Sequence, residues 1–183
     1  MIKNNSVKVL ALVDNRELQL AVLYSSLIFF IPAFVHQQLL TGPIINALLV
    51  LSFLHLGKSK SFFLALIPST VALSRGLLPL TLAPMVPFIM ISNCLYLEIF
   101  ARLKTNDQTI NQAKNFLAIF IASLAKAAFL FVISKLLMEK ILVAALASKI
   151  AVMMSWPQFA TALLGGILAL LVDASLKKKY ATR

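Results

Sequence analysis

Three polar side chains, Asn46, Asn93 and Lys126, lie deep within apolar stretches, where a polar group is costly unless something binds it. Asn46 and Lys126 are each 12 residues from the lysine that flanks their stretch, Lys58 and Lys114 respectively. A helix rises about 1.5 Å per residue, so both lie roughly 18 Å from those charges. Asn93 is 9 residues from the base that follows its stretch, or roughly 14 Å. The spacing predicts that the three groups share a depth near the middle of a membrane.

The sequence offers Lys126 no acidic partner at its own depth. Glu98 is one helical turn from Arg102, and we expect it to pair there. An unpaired ammonium in hydrocarbon favours an anion or a hydrogen-bonding ligand. The alternative is structural: Asn46 and Asn93 hold helices together, and the lysine extends toward the interface.

Gln158 and Thr161 are one helical turn apart at the start of the last apolar stretch, and Arg75 lies in an earlier turn. Arg75 and Lys126 together favour a substrate with a carboxylate, a phosphate or an electron-rich heterocycle. Gln158 and Thr161 otherwise form a polar helix start. The predicted solute-binding residues are Asn46, Arg75, Asn93, Lys126, Gln158 and Thr161.

The sequence contains no recognisable set of residues for catalysis or for metal binding. His36 and His55 fall at opposite ends of one predicted span, so they are interpreted as separate interfacial histidines. The single cysteine, Cys94, excludes a disulfide framework and a cysteine-based metal site. Neither a Ser-His-Asp set nor a pair of carboxylates is recognisable. We therefore predict no enzyme, no cofactor and no metal site.

The composition indicates what kind of protein must position these groups. Of 183 residues, 61% are hydrophobic and 13% charged, and the mean hydropathy is +0.94. Soluble domains are about 45–50% apolar and about 25% charged. The net charge of +11 comes from bases at the edges of apolar blocks, which is typical of a membrane protein rather than of nucleic-acid binding. The sequence predicts a multi-spanning membrane protein in contact with the lipid bilayer, with no nucleic-acid partner.

Apolar run lengths set the predicted number of spans. The 40 residues from Leu18 to Gly57 contain no charged residue, and about 20 residues cross a bilayer, so this run holds two spans. Similar reasoning predicts one all-α membrane domain over residues 1–183. Its six spans are placed at about 17–35, 43–57, 61–80, 83–101, 115–138 and 157–175.

The positive-inside rule orients this bundle. With six spans, the two termini and the second and fourth loops carry most of the Lys and Arg, so both termini are predicted to be cytoplasmic. The segment Ile141 to Ser155 is only 15 residues long and contains Lys149. A seventh span there would move the basic tail at 177–179 outside. We interpret this segment as an interfacial or re-entrant helix on the outer side, between the fifth and sixth spans.

Several stretches of the chain together form a recognisable pattern. They are Thr41–Leu49 (TGPIINALL), Pro68, Arg75–Pro79 (RGLLP), Ala83–Ile89 (APMVPFI) with Asn93, Ala125–Lys126 and Trp156–Gly166 (WPQFATALLGG). The Gly-Pro…Asn and Pro-x-x-Pro-Phe-Ile elements are its more specific parts. The pattern resembles the substrate-binding membrane subunits (S components) of energy-coupling factor transporters, in particular a subgroup whose substrate is unassigned, and the likeness covers about residues 16 to 176.

The resemblance implies a six-span protein of a prokaryotic plasma membrane that captures a vitamin-like solute or another micronutrient from outside. It implies a separate transmembrane coupling subunit and a pair of ABC-type ATPases as partners. S components bind substrate in the outer half of the bundle, which agrees with the depth count. Members of the family often carry an Ala-x-x-x-Ala stripe on the first span for docking the coupling subunit. The nearest match here is Ala21 and Ser25, with a larger second residue.

Two other functions remain open at the level of sequence. One is a structural or assembly protein whose polar residues only hold helices together. The other is a stand-alone secondary transporter or channel, which would be expected to show inverted repeats or a file of ionisable groups across the membrane. Neither feature is recognisable in the sequence.

Overall fold

A computed structural model describes residues 15–35, 37–105, 112–141 and 150–181, which are helical apart from short links. A 3-10 helix at Leu80–Met85 directly precedes the fifth α-helix, and residues 150–153 are helical just before the last one. The all-α class predicted from the sequence is confirmed for these residues. The α-helices are α1 (Asn15–Phe34), α2 (Gln38–Leu56), α3 (Lys58–Leu64), α4 (Ile67–Ser74), α5 (Val86–Leu103), α6 (Gln112–Ile141) and α7 (Trp156–Ala181).

Five segments within the described residues are long and apolar enough to cross a membrane. Many of their outward side chains are large and apolar, such as Phe34, Leu80 and Leu136, which a bilayer would cover. The chain is therefore a membrane-embedded helical protein. The segments are Arg16–Phe34, Leu39–Leu56, Leu80–Leu103, Gln112–Leu137 and Ile150–Lys179.

The third predicted span, 61–80, is not one continuous helix. α3 ends at Leu64, and α4 begins at Ile67 with Pro68 in its first turn. Proline has no N–H to donate, and its ring clashes with the carbonyl four residues earlier, so a helix approaching Pro68 ends before it. α4 then ends at Ser74, and Gly76 adopts a φ of 75°, which is open to glycine and strained for most other residues. This stretch is a broken pair of short helices.

Two predictions from the sequence fall wholly or mainly outside the described residues. His36, interpreted as an interfacial histidine, is one of them. The other is the outer interfacial helix at 141–155, of which residues 142–149 lie outside the described ranges.

The core is centred on α2, in which nine successive residues, from Ile45 to Phe53, are buried. Tyr96, Leu97 and Phe100 of α5 and Ala118 and Ile119 of α6 pack into the same cluster. A second, smaller cluster lies around the 3-10 helix that precedes α5. It is formed by Leu78, Leu82, Met85, Val86, Leu130, Ile150 and Met154.

α2 and α7 approach closely at two glycines. A β-carbon added at Gly165 would lie 2.7 Å from Asn46 Cβ and 2.9 Å from the Ala47 backbone nitrogen, and would also meet the Pro43 carbonyl oxygen. One added at Gly42 would lie 2.8 Å from Thr161 Cγ2. Small residues allow backbones in membranes to approach this closely. This contact fixes the two helices that carry Asn46, Gln158 and Thr161.

Ion pairs gather at one end of the bundle. Lys58, at the start of α3, binds Glu98 near the end of α5 at 2.5 Å, and Arg102 binds the same carboxylate at 2.7 Å. Lys60 pairs with Glu17, at the start of α1. These pairs place the start of α1, the α2–α3 junction and the end of α5 together, at the end that the charge pattern predicts to be cytoplasmic.

Thiol labelling of whole cells tests that orientation in a Cys94→Ala background. A membrane-impermeant reagent is expected to modify Gln37→Cys and Thr81→Cys, both at exposed positions of one end. Ser59→Cys and Gln112→Cys, exposed at the other end, should react only after the membrane is permeabilised. Labelling of Ser59→Cys and Gln112→Cys in intact cells, without labelling of the other two, would show that the bundle has the opposite orientation in the membrane.

Candidate functional site

The three mid-depth polar side chains meet in the structure. The Lys126 Nζ donates to Asn46 Oδ1 and to Asn93 Oδ1, each at 2.7 Å. The lysine is 2% exposed and each asparagine 4%. The trio joins α6 to α2 and α5. The sequence predicted that these three residues lie at one level because their distances from the flanking charges are similar.

Each asparagine is held by a further hydrogen bond that fixes which atom faces the lysine. Asn46 Nδ2 donates to the Gly42 carbonyl oxygen at 2.8 Å. Asn93 Nδ2 donates to the carbonyl oxygen of Ala65 at 3.1 Å. Ala65 lies in the link between α3 and α4, so the break before Pro68 supplies an acceptor that faces α5. Both amide oxygens are therefore oriented toward Lys126.

Within the described residues, no carboxylate forms an ion pair with Lys126. Its ammonium lies 5.5 Å from the centre of the Tyr96 ring, whose hydroxyl donates to the Ala162 carbonyl oxygen at 3.0 Å. An ammonium has three N–H donors, and the asparagines accept two. One N–H of Lys126 therefore remains available to a ligand, and no described carboxylate compensates the positive charge.

A cavity of about 110 Å³ opens beside this trio. Gln158 and Thr161 of α7, both predicted from the sequence, belong to its wall. The Thr161 hydroxyl donates to the Gln158 backbone carbonyl oxygen at 3.2 Å. The lining residues are Pro32, Thr41, Gly42, Ile45, Asn46, Pro68, Ser69, Ala72, Leu77, Leu78, Ile89, Asn93, Lys126, Met154, Gln158 and Thr161.

Sequence reasoning missed two polar residues of this cavity. Ser69 is 4% exposed, and its Oγ has no hydrogen-bond partner among the described residues. A buried hydroxyl without a partner is unusual in proteins. Thr41 is equally buried and donates to the Val35 and Gln37 carbonyl oxygens at 2.8 and 3.0 Å. The only sequence signal for Ser69 is its place directly after Pro68, inside a stretch interpreted as one continuous span.

Other predicted site residues lie elsewhere. Arg75 is exposed at the end of α4 and is not part of the cavity wall. Ala21 and Ser25, the predicted docking pair, are half-buried on α1. The Ser25 hydroxyl donates to the Ala21 carbonyl oxygen at 2.7 Å, and Ala21 packs against the protein's own core.

A second polar network lies near the charged end of the bundle. The Tyr24 hydroxyl and His55 Nδ1 are hydrogen bonded at 2.6 Å, and His55 Nε2 lies 3.4 Å from Asp173. Lys177 pairs with the same aspartate at 2.8 Å. His55, interpreted from the sequence as an interfacial histidine, thus links α1, α2 and α7.

Comparisons with known protein families, with curated proteins and with solved structures find no match to this chain. The described residues contain no group of three or more His, Cys, Asp or Glu that could hold a metal ion. The cavity and the groups that line it are therefore the features of this chain that indicate a function.

Proposed function

We propose that this protein is the substrate-capture subunit of an importer of the energy-coupling factor type, which binds a small solute inside the membrane. The observation that carries the proposal is the Lys126 ammonium, 2% exposed and held by Asn46 and Asn93 beside a cavity. A buried ionisable residue inside a membrane protein is costly, and it commonly marks a binding site or an ion path.

Two features favour a binding site over a purely structural trio. Ser69 has a buried hydroxyl that no described residue satisfies, and it lines the same cavity. Interhelical contacts that exist only for packing normally satisfy their polar atoms. Gln158 adds a side-chain amide to the same wall. A solute with hydrogen-bonding groups would satisfy these atoms together.

The partners in this proposal are a transmembrane coupling subunit and a pair of ATPases, which would supply the energy for release. The outward face of α1 is apolar, with Val22, Phe30 and Phe34 all more than half exposed. Ala21 and Ser25 lie at the edge of that face and are the predicted docking positions. Ala21 also supports the internal core, so a docking test must include a measurement of folding.

Mass spectrometry of the purified protein tests the capture function directly. Protein purified from its native membrane is expected to release one small molecule in about stoichiometric amount when it is denatured. Ala72→Phe should abolish this, because the ring would enter the cavity from its half-buried wall position. Ile121→Phe on the exposed face of α6 should retain the molecule.

The alternative is a membrane scaffold in which the trio only joins α2, α5 and α6. It is favoured by the fact that both asparagine side chains already have partners within the protein, the lysine for each oxygen and a backbone carbonyl for each nitrogen. A scaffold would release no solute from either variant, and Ala72→Phe would change only stability. Equal solute from Ala72→Phe and from the unaltered protein would place the binding site outside this cavity.

A further inference from the structure

We infer that the solute is a small organic monoanion, a monocarboxylate with an apolar body, whose carboxylate binds Lys126 and Ser69. This inference rests on the proposed function of the cavity as a solute site. It adds the charge, the size and the polar group of the molecule, none of which follows from capture alone.

The charge of the solute follows from the charges that line the cavity. Lys126 is the one ionisable side chain among the described residues of its wall. Asn46 and Asn93 are neutral, so they satisfy two N–H donors without compensating the positive charge. A monoanion would make the occupied site neutral. A dianion would leave one negative charge in a low-dielectric interior, and a cation would add a second positive charge, and both are costly there.

The geometry around the lysine favours a carboxylate. Lys126 has one N–H beyond the two that its asparagines accept, and the Ser69 hydroxyl has no described partner. A carboxylate has two oxygens that only accept hydrogen bonds, so it can take one from each of these donors. Hydrogen bonds with an ionised partner are about twice as strong as neutral ones.

The remainder of the wall determines the body of the molecule. Most of the other lining side chains are apolar, among them Ile45, Leu78, Ile89 and Met154. The cavity volume of about 110 Å³ is below the roughly 300–1,000 Å³ of pockets for drug-sized ligands. An inorganic anion would leave this apolar wall unfilled. A short aliphatic or single-ring acid fits the wall, and Gln158 can bind one further polar substituent.

Isosteric pairs of acids and amides test this inference on the purified full-length protein. The probes are propionate, butyrate and benzoate, each compared with its own primary amide by thermal shift and by displacement of the co-purified molecule. At least one acid is expected to bind about tenfold or more tightly than its amide, because the neutral amide has one acceptor oxygen instead of two and cannot compensate the charge of Lys126. Ser69→Ala should weaken the acid by roughly twofold to tenfold and the amide by less, because only the acid offers the hydroxyl an ionised acceptor.

Matched lysine variants complete the test. Lys126→Met should remove the preference for the acid, whereas Lys135→Met, an exposed position on the same helix, should retain it. Amides that bind as well as acids, or an acid preference that survives Lys126→Met, would overturn the inference. If a co-purified molecule is found but no acid displaces it, the capture function stands and the monocarboxylate assignment fails. If neither a co-purified molecule nor probe binding is found, both fail.

Discussion

Gly165→Ala is expected to lower the free energy of unfolding by about 2 kcal/mol, the size typical of overpacking a close contact. The sign is the informative part, because alanine in place of glycine in an unconstrained helix adds about 1 kcal/mol of stability. The added β-carbon would meet the Pro43 carbonyl oxygen and lie 2.9 Å from the Ala47 nitrogen. Backbone atoms cannot rotate away, so α2 and α7 would have to separate.

Unfolding in detergent micelles, followed by circular dichroism, measures this effect. Leu164→Ala is the matched control: the neighbouring position is 57% exposed, so the change should cost little. A Gly165→Ala protein that is as stable as the unaltered one would show that α2 and α7 lie farther apart than these distances require. Since Asn46 carries one of the close contacts to Gly165, solute binding should weaken together with stability.

The second large effect is expected when the lysine loses both of its acceptors. Asn46→Leu combined with Asn93→Leu leaves the Lys126 ammonium buried, charged and without either 2.7 Å hydrogen bond. Hydrogen bonds to charged groups contribute about 1.5–3 kcal/mol each. We expect the double variant to lose about 3 kcal/mol of unfolding free energy or to fail to accumulate in the membrane.

Adding Lys126→Met to that pair should restore most of the lost stability. The triple variant has lost the buried charge of Lys126. Removing only the acceptors of a buried charge costs more free energy than replacing the charge and its acceptors together with apolar side chains. Lys126→Met alone should be mild, because it removes the charge and leaves neutral amides beside the cavity. The measurement is the same micelle unfolding experiment, with Lys135→Met as the control for loss of a lysine. A triple variant as unstable as the double variant would show that the two amide oxygens do not stabilise the buried ammonium.

The sequence predicted that Asn46, Asn93 and Lys126 lie together at the candidate site because these residues differ strongly from their surroundings. Asn46, Asn93 and Lys126 interrupt long apolar runs, and a constant helical rise converts their distance from flanking charges into depth. The same reasoning needed continuous helices, which α2, α5 and α6 are. Gln158 and Thr161 were found because they begin the last helix at adjacent turns.

The position of Ser69, one of the two residues that the sequence missed, depends on where a helix breaks. Pro68 was visible, but proline is tolerated in membrane helices when neighbours satisfy the freed backbone groups, so residues 61–80 could be interpreted as one span. The break changes the direction of the chain and brings Ser69 into the cavity wall. It also leaves Arg75 exposed outside that wall, although its charge had suggested a ligand contact. Local sequence does not specify such a change of direction.

The order in which the trio is synthesised bears on how the protein enters the membrane. Translation produces Asn46 first, then Asn93, and last Lys126, so both acceptors precede the charge that they will bind. A lysine at the centre of a membrane helix costs about 2.5–3.5 kcal/mol on insertion scales. It lies in Gln112–Leu137, whose most apolar window of 18 residues has a mean hydropathy of 2.5, the highest such value among the candidate spans of the described residues. That helix can therefore insert despite its charge and find two oriented amide oxygens already in the bilayer.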